Sequence, residues 1–276
     1  MSDKKVIVPF TALTFCIAYG VSSVLIVLGQ FGYRVYGLVG SLQQFAMNIP
    51  FAIYILSPAI ASFVVLRKNG EVASLREWIK TVFYWKTNVF VYLVVVAGVA
   101  LYFGIHMAVA AGTDKMLPFY MFFLSLPGNF FIGGLEETGW MYVLQPGLDK
   151  RYGFLVSSIF VGVIWIFWHI PLFFIPGTNH CDGLIDFWMF NIQVMSLSFF
   201  RGAIYKIAGK GYVFMYVLFH TMFNAMSSLF VSRMTWAGMM VANIAMILFS
   251  IAIVTMYRKS KTKDGYYKKY FLYVPH

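Results

Sequence analysis

Residues 88–111 read NVFVYLVVVAGVALYFGIHMAVAA, an apolar stretch without a single charged side chain. A run of this length is typical of a membrane-spanning helix, because about 20 helical residues cross a hydrocarbon layer about 30 Å thick. Similar runs recur along the chain, in which 61% of the 276 residues are hydrophobic and only 11% are charged. An ordinary globular domain has about 25% charged residues. The sequence therefore predicts an all-α, polytopic integral membrane protein.

The apolar runs divide the chain into about eight predicted transmembrane helices within a single domain, residues 1–276. The predicted spans are Val6–Gly29, Ala46–Leu66, Asn88–Ala111, Leu117–Leu144, Gly153–Phe174, Asp186–Ile207, Gly211–Val231 and Trp236–Tyr257. If the N-terminus is cytoplasmic, all 21 Lys and Arg residues except Arg34, Lys115 and Arg233 fall on the cytoplasmic side. Because cytoplasmic loops are enriched in Lys and Arg, this asymmetry predicts eight spans with both termini cytoplasmic, in the cell membrane if the protein is bacterial.

The basic residues lie at the ends of the predicted helices, so the formal charge of +11 indicates contact with anionic lipid and not with nucleic acid. Between the second and third spans, apolar side chains recur at helical spacing and charged side chains take the opposite face. The apolar set is Val72, Leu75, Trp78, Ile79, Val82 and Trp85, and the charged set is Arg76, Glu77 and Lys80. This pattern predicts an interfacial amphipathic helix on the cytoplasmic leaflet, with the lipid bilayer as its partner.

Two of the ten acidic residues, Glu136 and Glu137, lie inside a predicted span. A charged carboxylate at the centre of a bilayer costs about 2.5–3.5 kcal/mol. An adjacent pair facing lipid is therefore not expected, and both side chains should border protein or water. Repulsion between neighbouring carboxylates also favours protonation of one of them.

Three histidines also lie in predicted spans. His220 and Asn224 are four residues apart and share a helix face. His169 precedes Ile170-Pro171, where the helix is expected to break. His106 has no partner in the pattern and is interpreted as a contact between helices. A group that takes a proton from water and donors that hold an oxyanion are what peptide hydrolysis needs, and these helices carry both.

Three short motifs resemble those of the CPBP family, which comprises type II CAAX prenyl endopeptidases, bacterial Abi-type proteins and bacteriocin-processing or self-immunity proteins. The family has a Glu-Glu pair with Arg four residues after the second Glu, an aromatic residue four residues before a His, and His-x-x-x-Asn. The corresponding stretches here are Glu136-Glu137-Thr138-Gly139-Trp140-Met141, Trp165-Ile166-Phe167-Trp168-His169 and His220-Thr221-Met222-Phe223-Asn224. The resemblance implies a catalytic region at about residues 117–231.

The resemblance implies an intramembrane endopeptidase in which Glu136 and His169 activate water. It further implies that His220 and Asn224 hold the oxyanion of the scissile carbonyl and that Glu137 supports the site. The implied substrate is a membrane peptide or protein, such as a prenylated C-terminus or a bacteriocin peptide. The chain departs from the family at Met141, where the motif has Arg.

Position 141 holds Met, and no other Lys or Arg is expected deep in a predicted span. The sequence therefore predicts that Glu137 lacks a cationic partner. Glu137 is then expected to be neutral, or hydrogen-bonded by a neighbour such as Trp140 or Asn129.

Two other functions stay open from the sequence. A catalytically inactive relative that acts in bacteriocin self-immunity, or as a membrane scaffold, is favoured by Met141. A proton-coupled transporter could use the same polar cluster, although the chain has no internal repeat. The glutamate mechanism needs no cofactor, whereas a zinc site of two histidines and a glutamate is the metal-dependent alternative.

Overall fold

The computed structural model describes residues 4–37, 39–209 and 212–271. Over these residues the chain is all-helical, with one isolated bridge between Met116 and Phe230. The helices are α1 (Lys4–Gly29), α2 (Leu42–Ile55), α3 (Ser57–Lys68), α4 (Leu75–Val82), α5 (Val89–Ala110), α6 (Tyr120–Phe131), α7 (Glu137–Gly139), α8 (Gln145–His169), α9 (Phe187–Ala208), α10 (Val213–Ser227) and α11 (Trp236–Phe271). Both ends of the predicted domain, at residues 1–3 and 272–276, and the expected start of the seventh span at Gly211 lie outside the described residues.

Several helices have the length and apolar composition needed to cross a membrane. In the described part of the chain, four stretches qualify alone, namely Lys5–Gly29, Val89–Ala110, Tyr120–Phe173 and Trp236–Ser260. A fifth is added if α2 and α3, which are bent by 53°, form one span. Apolar side chains on these helices, including Val27, Leu93, Leu124 and Leu248, are more than half exposed. Because helices satisfy their own backbone groups in lipid, these surfaces are those of an integral membrane protein.

Helix α10 lies in the interior of the bundle and packs against α5, α6 and α9. Around it, α11 runs along α5 and α9, α8 runs along α9, and α1 packs on α2 and α3. Large aromatic residues pack between these helices. The Trp168 ring of α8 stacks on the Tyr54 ring with 5.0 Å between the centroids, and it meets the Trp140 ring edge-on at a centroid distance of 5.9 Å. The Trp168 indole N–H donates to Ser57 Oγ at 3.0 Å. The segment after Glu137 is therefore fixed against α2, α3 and α8.

The predicted fourth span, Leu117–Leu144, is not a single helix. Helix α6 ends at Phe131, and the chain continues through a 3₁₀ turn (Gly134–Glu136), the short α7 and a π-helical turn (Trp140–Leu144). The break is centred on Gly133, which has φ 110°, a backbone conformation that residues other than glycine rarely adopt. Glu136 and Glu137 therefore do not lie on the regular helix that the sequence predicted.

The predicted fifth span corresponds to the second part of α8. Helical structure already starts at Gln145, but the backbone leaves the helical conformation at Gly153, which has φ 73° and ψ 179°. The other end agrees with the prediction: α8 ends at His169 and a 3₁₀ turn follows at Ile170–Phe173. Pro171 lacks an N–H and cannot continue an α-helix in the ordinary way. The expected break after His169 is thus confirmed.

His106 forms a structural contact near the end of α5. Its Nε2 lies 2.5 Å from Asp114 Oδ2, and the other carboxylate oxygen of Asp114 accepts the backbone N–H of Thr235 at 3.1 Å. Thr235 directly precedes α11, so the contact ties the end of α5 to the start of α11. The interpretation of His106 as a contact between helices is confirmed.

Candidate active site

The helix break before the glutamate pair lets this segment approach α10 closely. A Cβ atom on Gly133 would lie 2.3 Å from Asn224 Nδ2 and 3.1 Å from His220 Nε2. The distance to Asn224 is shorter than any carbon–nitrogen contact allows, so without a rearrangement only glycine fits between the segment and the His220–Asn224 face. The polar face that His-x-x-x-Asn spacing predicts on α10 thus points at the backbone just before Glu136.

Glu136 is buried and is held by a tryptophan of α8. The Trp165 indole N–H donates to Glu136 Oε2 at 3.0 Å. One turn later, His169 Nδ1 lies 2.8 Å from the Trp165 carbonyl oxygen, and the His169 and Trp165 rings meet edge-on at 4.9 Å. A carbonyl oxygen only accepts, so in the neutral imidazole the hydrogen is on Nδ1 and Nε2 can accept a proton. Trp165 therefore brings a carboxylate and a base together.

Glu137 is fully buried and has two partners on different helices. His220 Nδ1 of α10 lies 2.8 Å from Glu137 Oε1, and Arg201 Nη1 of α9 donates to the same oxygen. The Arg201 guanidinium also lies over the Trp165 ring, 3.6 Å from its centroid, where cation–π attraction is favourable. Glu137 is thus connected through Arg201 to the tryptophan that holds Glu136.

The expectation that Glu137 lacks a cationic partner is wrong. Arg201 is 64 residues away in sequence and is only 1% exposed, although its charge was assigned to the cytoplasmic end of a span. The alternative partners named from the sequence do not bind Glu137 either: the Asn129 amide donates to the Ser125 carbonyl, and the Trp140 indole has no partner among the described residues. The stated reason for expecting a neutral Glu137, the lack of a cation beside it, is therefore removed.

Asn224 lies at the edge of this cluster. Its side-chain amide donates a long hydrogen bond, 3.4 Å, to the Ile132 carbonyl at the helix break. The His220 ring meets Trp165 edge-on at 5.4 Å. The structure therefore gathers Glu136, Glu137, His169 and His220 around Trp165 and Arg201, and it places Asn224 beside Gly133.

No metal site accompanies this cluster in the part of the chain that the structure describes, where no three His, Cys, Asp or Glu side chains are grouped as ligands. The set of two histidines and a glutamate considered for zinc is not assembled by this geometry.

Sequence reasoning missed three residues of the site. Trp165 was recognised as the motif aromatic but without its hydrogen bond to Glu136, and Gly133 was not singled out. Arg201 was counted among helix-end cations, although it lies six residues inside the predicted span Asp186–Ile207. That depth was the available signal, since a charge well inside an apolar helix needs a buried partner.

Comparison with known protein families supports the interpretation of the three motifs. No curated protein matches the chain. Residues 115–226 match the family model described as type II CAAX prenyl endopeptidase Rce1-like. The matched region contains all three motifs and begins in the loop before α6. The match confirms the resemblance stated from the motifs: residues 115–226 of this membrane protein are similar to type II CAAX prenyl endopeptidases of the Rce1-like family.

Proposed function

We propose that the protein is an intramembrane endopeptidase that hydrolyses a peptide bond with water activated by Glu136. One observation carries the proposal: Trp165 holds both Glu136 and His169, through its indole N–H and its carbonyl oxygen. Among the described residues, neither Glu136 Oε1 nor His169 Nε2 has a hydrogen-bond partner. Two free proton acceptors on one buried tryptophan are suited to bind and deprotonate a water molecule.

In the proposed reaction, Glu136 accepts a proton from water and the resulting hydroxide attacks the scissile carbonyl carbon. The oxyanion accepts hydrogen bonds from the Asn224 amide and from His220 Nε2–H, which both lie beside Gly133. This step uses both ring nitrogens of His220 as donors, Nε2–H to the oxyanion and Nδ1–H to Glu137, which requires the imidazolium form. Glu136 then returns its proton to the peptide nitrogen, which leaves as an amine while the new carboxyl group forms. One peptide bond and one water are consumed.

Four of the proposed residues contact the substrate or the attacking water, and a fifth acts by orienting one of those four. Glu136, His169, His220 and Asn224 are proposed as catalytic residues, and Glu137 as the residue that orients His220. We assign them to a catalytic region of about residues 117–231 within a single domain of residues 1–276. This range agrees closely with the matched residues 115–226.

The substrate class follows from the burial of the site and from the family match. Glu136 and Glu137 are almost entirely shielded from solvent inside a helical bundle, so a peptide that reaches them is a membrane-associated peptide or a segment of a membrane protein. The description of the family points to peptides with a prenylated C-terminus. A bacteriocin peptide is the other class that the motifs suggest.

A quenched-peptide panel tests this proposal. The purified protein, reconstituted in lipid, is assayed with pairs of fluorogenic peptides that share a sequence and differ only by an isoprenoid on the cysteine near the C-terminus. We expect turnover of prenylated members, because the lipid tail delivers the scissile bond to membrane depth. Turnover of unprenylated peptides alone would contradict the substrate class, and no turnover of any peptide would contradict the enzyme itself.

An inactive relative acting in bacteriocin self-immunity, or as a membrane scaffold, is the second candidate. One observation favours it: the position of the motif Arg holds Met141, which is fully buried. The same panel separates the two, since this candidate binds a peptide or protein partner without cleaving it.

The topology proposed for this function has eight spans, an interfacial helix and cytoplasmic termini. Eight helical segments of the described residues are consistent with it, in the order α1, α2 with α3, α5, α6, α8 after Gly153, α9, α10 and α11. Helix α4 supports an interfacial position, because it buries Trp78 and Val82 against the protein and exposes Leu75 and Ile79 beside charged side chains.

Reporter fusions test this topology. A reporter fused after His276 should be active in the cytoplasm, and one inserted in the 111–119 loop should be active only on the opposite side, because the basic residues mark the cytoplasmic face. Activity of the His276 fusion on the outer side alone would contradict an even number of spans.

A further inference from the structure

Glu137 and Arg201 form an ion pair inside the bundle, and neither side chain is more than 1% exposed. Among the described residues, Arg201 Nε and Nη2 and Glu137 Oε2 have no hydrogen-bond partner. Removing one member of a buried ion pair leaves an uncompensated charge, which is strongly destabilising. The two side chains therefore depend on each other more than a surface pair would.

At the position where the family motif has Arg, this chain has an apolar residue that packs in the core. Met141 is fully buried in the π-helical turn Trp140–Leu144, next to Trp140, whose ring packs on Phe10 at 5.8 Å. A cation four residues after Glu137 would approach that carboxylate from the same segment. In this chain the cation approaches the carboxylate from α9 instead.

Close packing of α9 against α8 brings Arg201 to this point. A Cβ atom on the next residue, Gly202, would lie 2.4 Å from Ser158 Oγ of α8. The helices can be this close only because residue 202 has no side chain. The approach places the Arg201 guanidinium over Trp165 and beside Glu137.

We propose that Arg201 is a positioning residue that replaces the motif Arg missing at position 141. It holds the side chain of Glu137, which orients His220, and its stacking on Trp165 supports the indole that holds Glu136. The proposal rests on the endopeptidase function proposed above. Its consequence is that Met141 is not a mark of inactivity, because the charge has moved to another helix and has not been lost.

Relocating the charge tests the proposal in the full-length protein in lipid. Arg201→Met should lower kcat by about 10–100-fold with little change in KM, because Arg201 orients catalytic groups and does not touch the substrate. Arg201→Lys should recover part of the loss, and Met141→Arg combined with Arg201→Met should recover most of it. The exposed Arg67→Met at the end of α3 is the matched control and should behave as the parent. Unchanged kcat in Arg201→Met, or equal losses in all three Arg201 variants, would overturn the proposal.

Thermal unfolding provides a readout that does not depend on turnover. Arg201→Met should lower Tm more than Glu137→Gln combined with Arg201→Met, because the double variant removes the buried carboxylate together with its guanidinium partner, and a neutral His220 can still donate Nδ1–H to the new amide oxygen. Restoring the cation from position 141 should also raise Tm above that of Arg201→Met alone. Strictly additive Tm changes without such recovery would overturn the proposal. A parent that cleaves no peptide but shows the recovery would instead contradict only the proposed function.

Discussion

Replacing Glu136 with Gln is expected to lower kcat for peptide cleavage by about 10²–10⁴-fold, the range that a general base contributes. Gln has the same shape and cannot accept the proton of water. Its side-chain oxygen can still accept the Trp165 N–H bond that fixes position 136. We therefore expect Glu136→Gln to fold as the parent does, so that the loss appears in kcat with Tm nearly unchanged.

The matched control is Glu71→Gln, which removes a carboxylate from the exposed loop between α3 and α4. It should leave kcat at the parent value. Glu137→Gln gives the informative contrast, because Glu137 binds both Arg201 and His220 and its neutralisation should also reduce kcat. If Glu136→Gln keeps parental turnover, Glu136 is not the base, and His169 becomes the remaining proton acceptor beside Trp165.

Much of the fold could be predicted because lipid imposes a simple rule on sequence. An apolar run of about 20 residues has to be helical in a membrane, and the predicted spans Val6–Gly29 and Asn88–Ala111 nearly coincide with α1 and α5. The break after His169 was predictable for an equally local reason, the proline two residues later.

The departures arise where a tertiary contact decides the backbone. Nothing local in Leu117–Leu144 requires a break at Gly133, since glycine also occurs within membrane helices. The break is needed because His220 and Asn224, about 90 residues later, occupy the space that a side chain at position 133 would take. A prediction of membrane spans from hydropathy cannot detect such a contact between residues that are distant in sequence.

The site shows the same division between local and distant information. Spacing of four residues correctly paired His220 with Asn224 and connected Trp165 with His169, because these relations lie within one helix. The partner of Glu137 was assigned wrongly, because spacing on one helix points to residue 141 and cannot show that α9 brings Arg201 to the same carboxylate. The count of Lys and Arg on each side of the membrane also hid this contact. A basic residue near the cytoplasmic end of a helix agrees with that count, so no buried partner had to be sought for Arg201.

Replacing Gly133 with Ala is expected to lower kcat by about 10²–10³-fold, the range for loss of one oxyanion donor. The added Cβ atom would lie 2.3 Å from Asn224 Nδ2, so the amide has to move away from the proposed oxyanion position. The backbone φ of 110° is also strained for alanine, at a cost of order 1–3 kcal/mol. Kinetics and thermal unfolding of the purified variant measure the two effects separately.

The matched control is Gly128→Ala, in α6 five residues earlier, where a Cβ atom would meet no neighbour within 4 Å. It makes the same chemical change in a regular helix and should leave kcat and Tm close to the parent values. If Asn224 holds the oxyanion, combining Gly133→Ala with Asn224→Ala should add little further loss to Asn224→Ala alone, because both changes remove the same donor. Losses that multiply would mean that Gly133 serves the site by another route, with His220, whose Nε2 lies 3.1 Å from the same Cβ position, as the next residue to test.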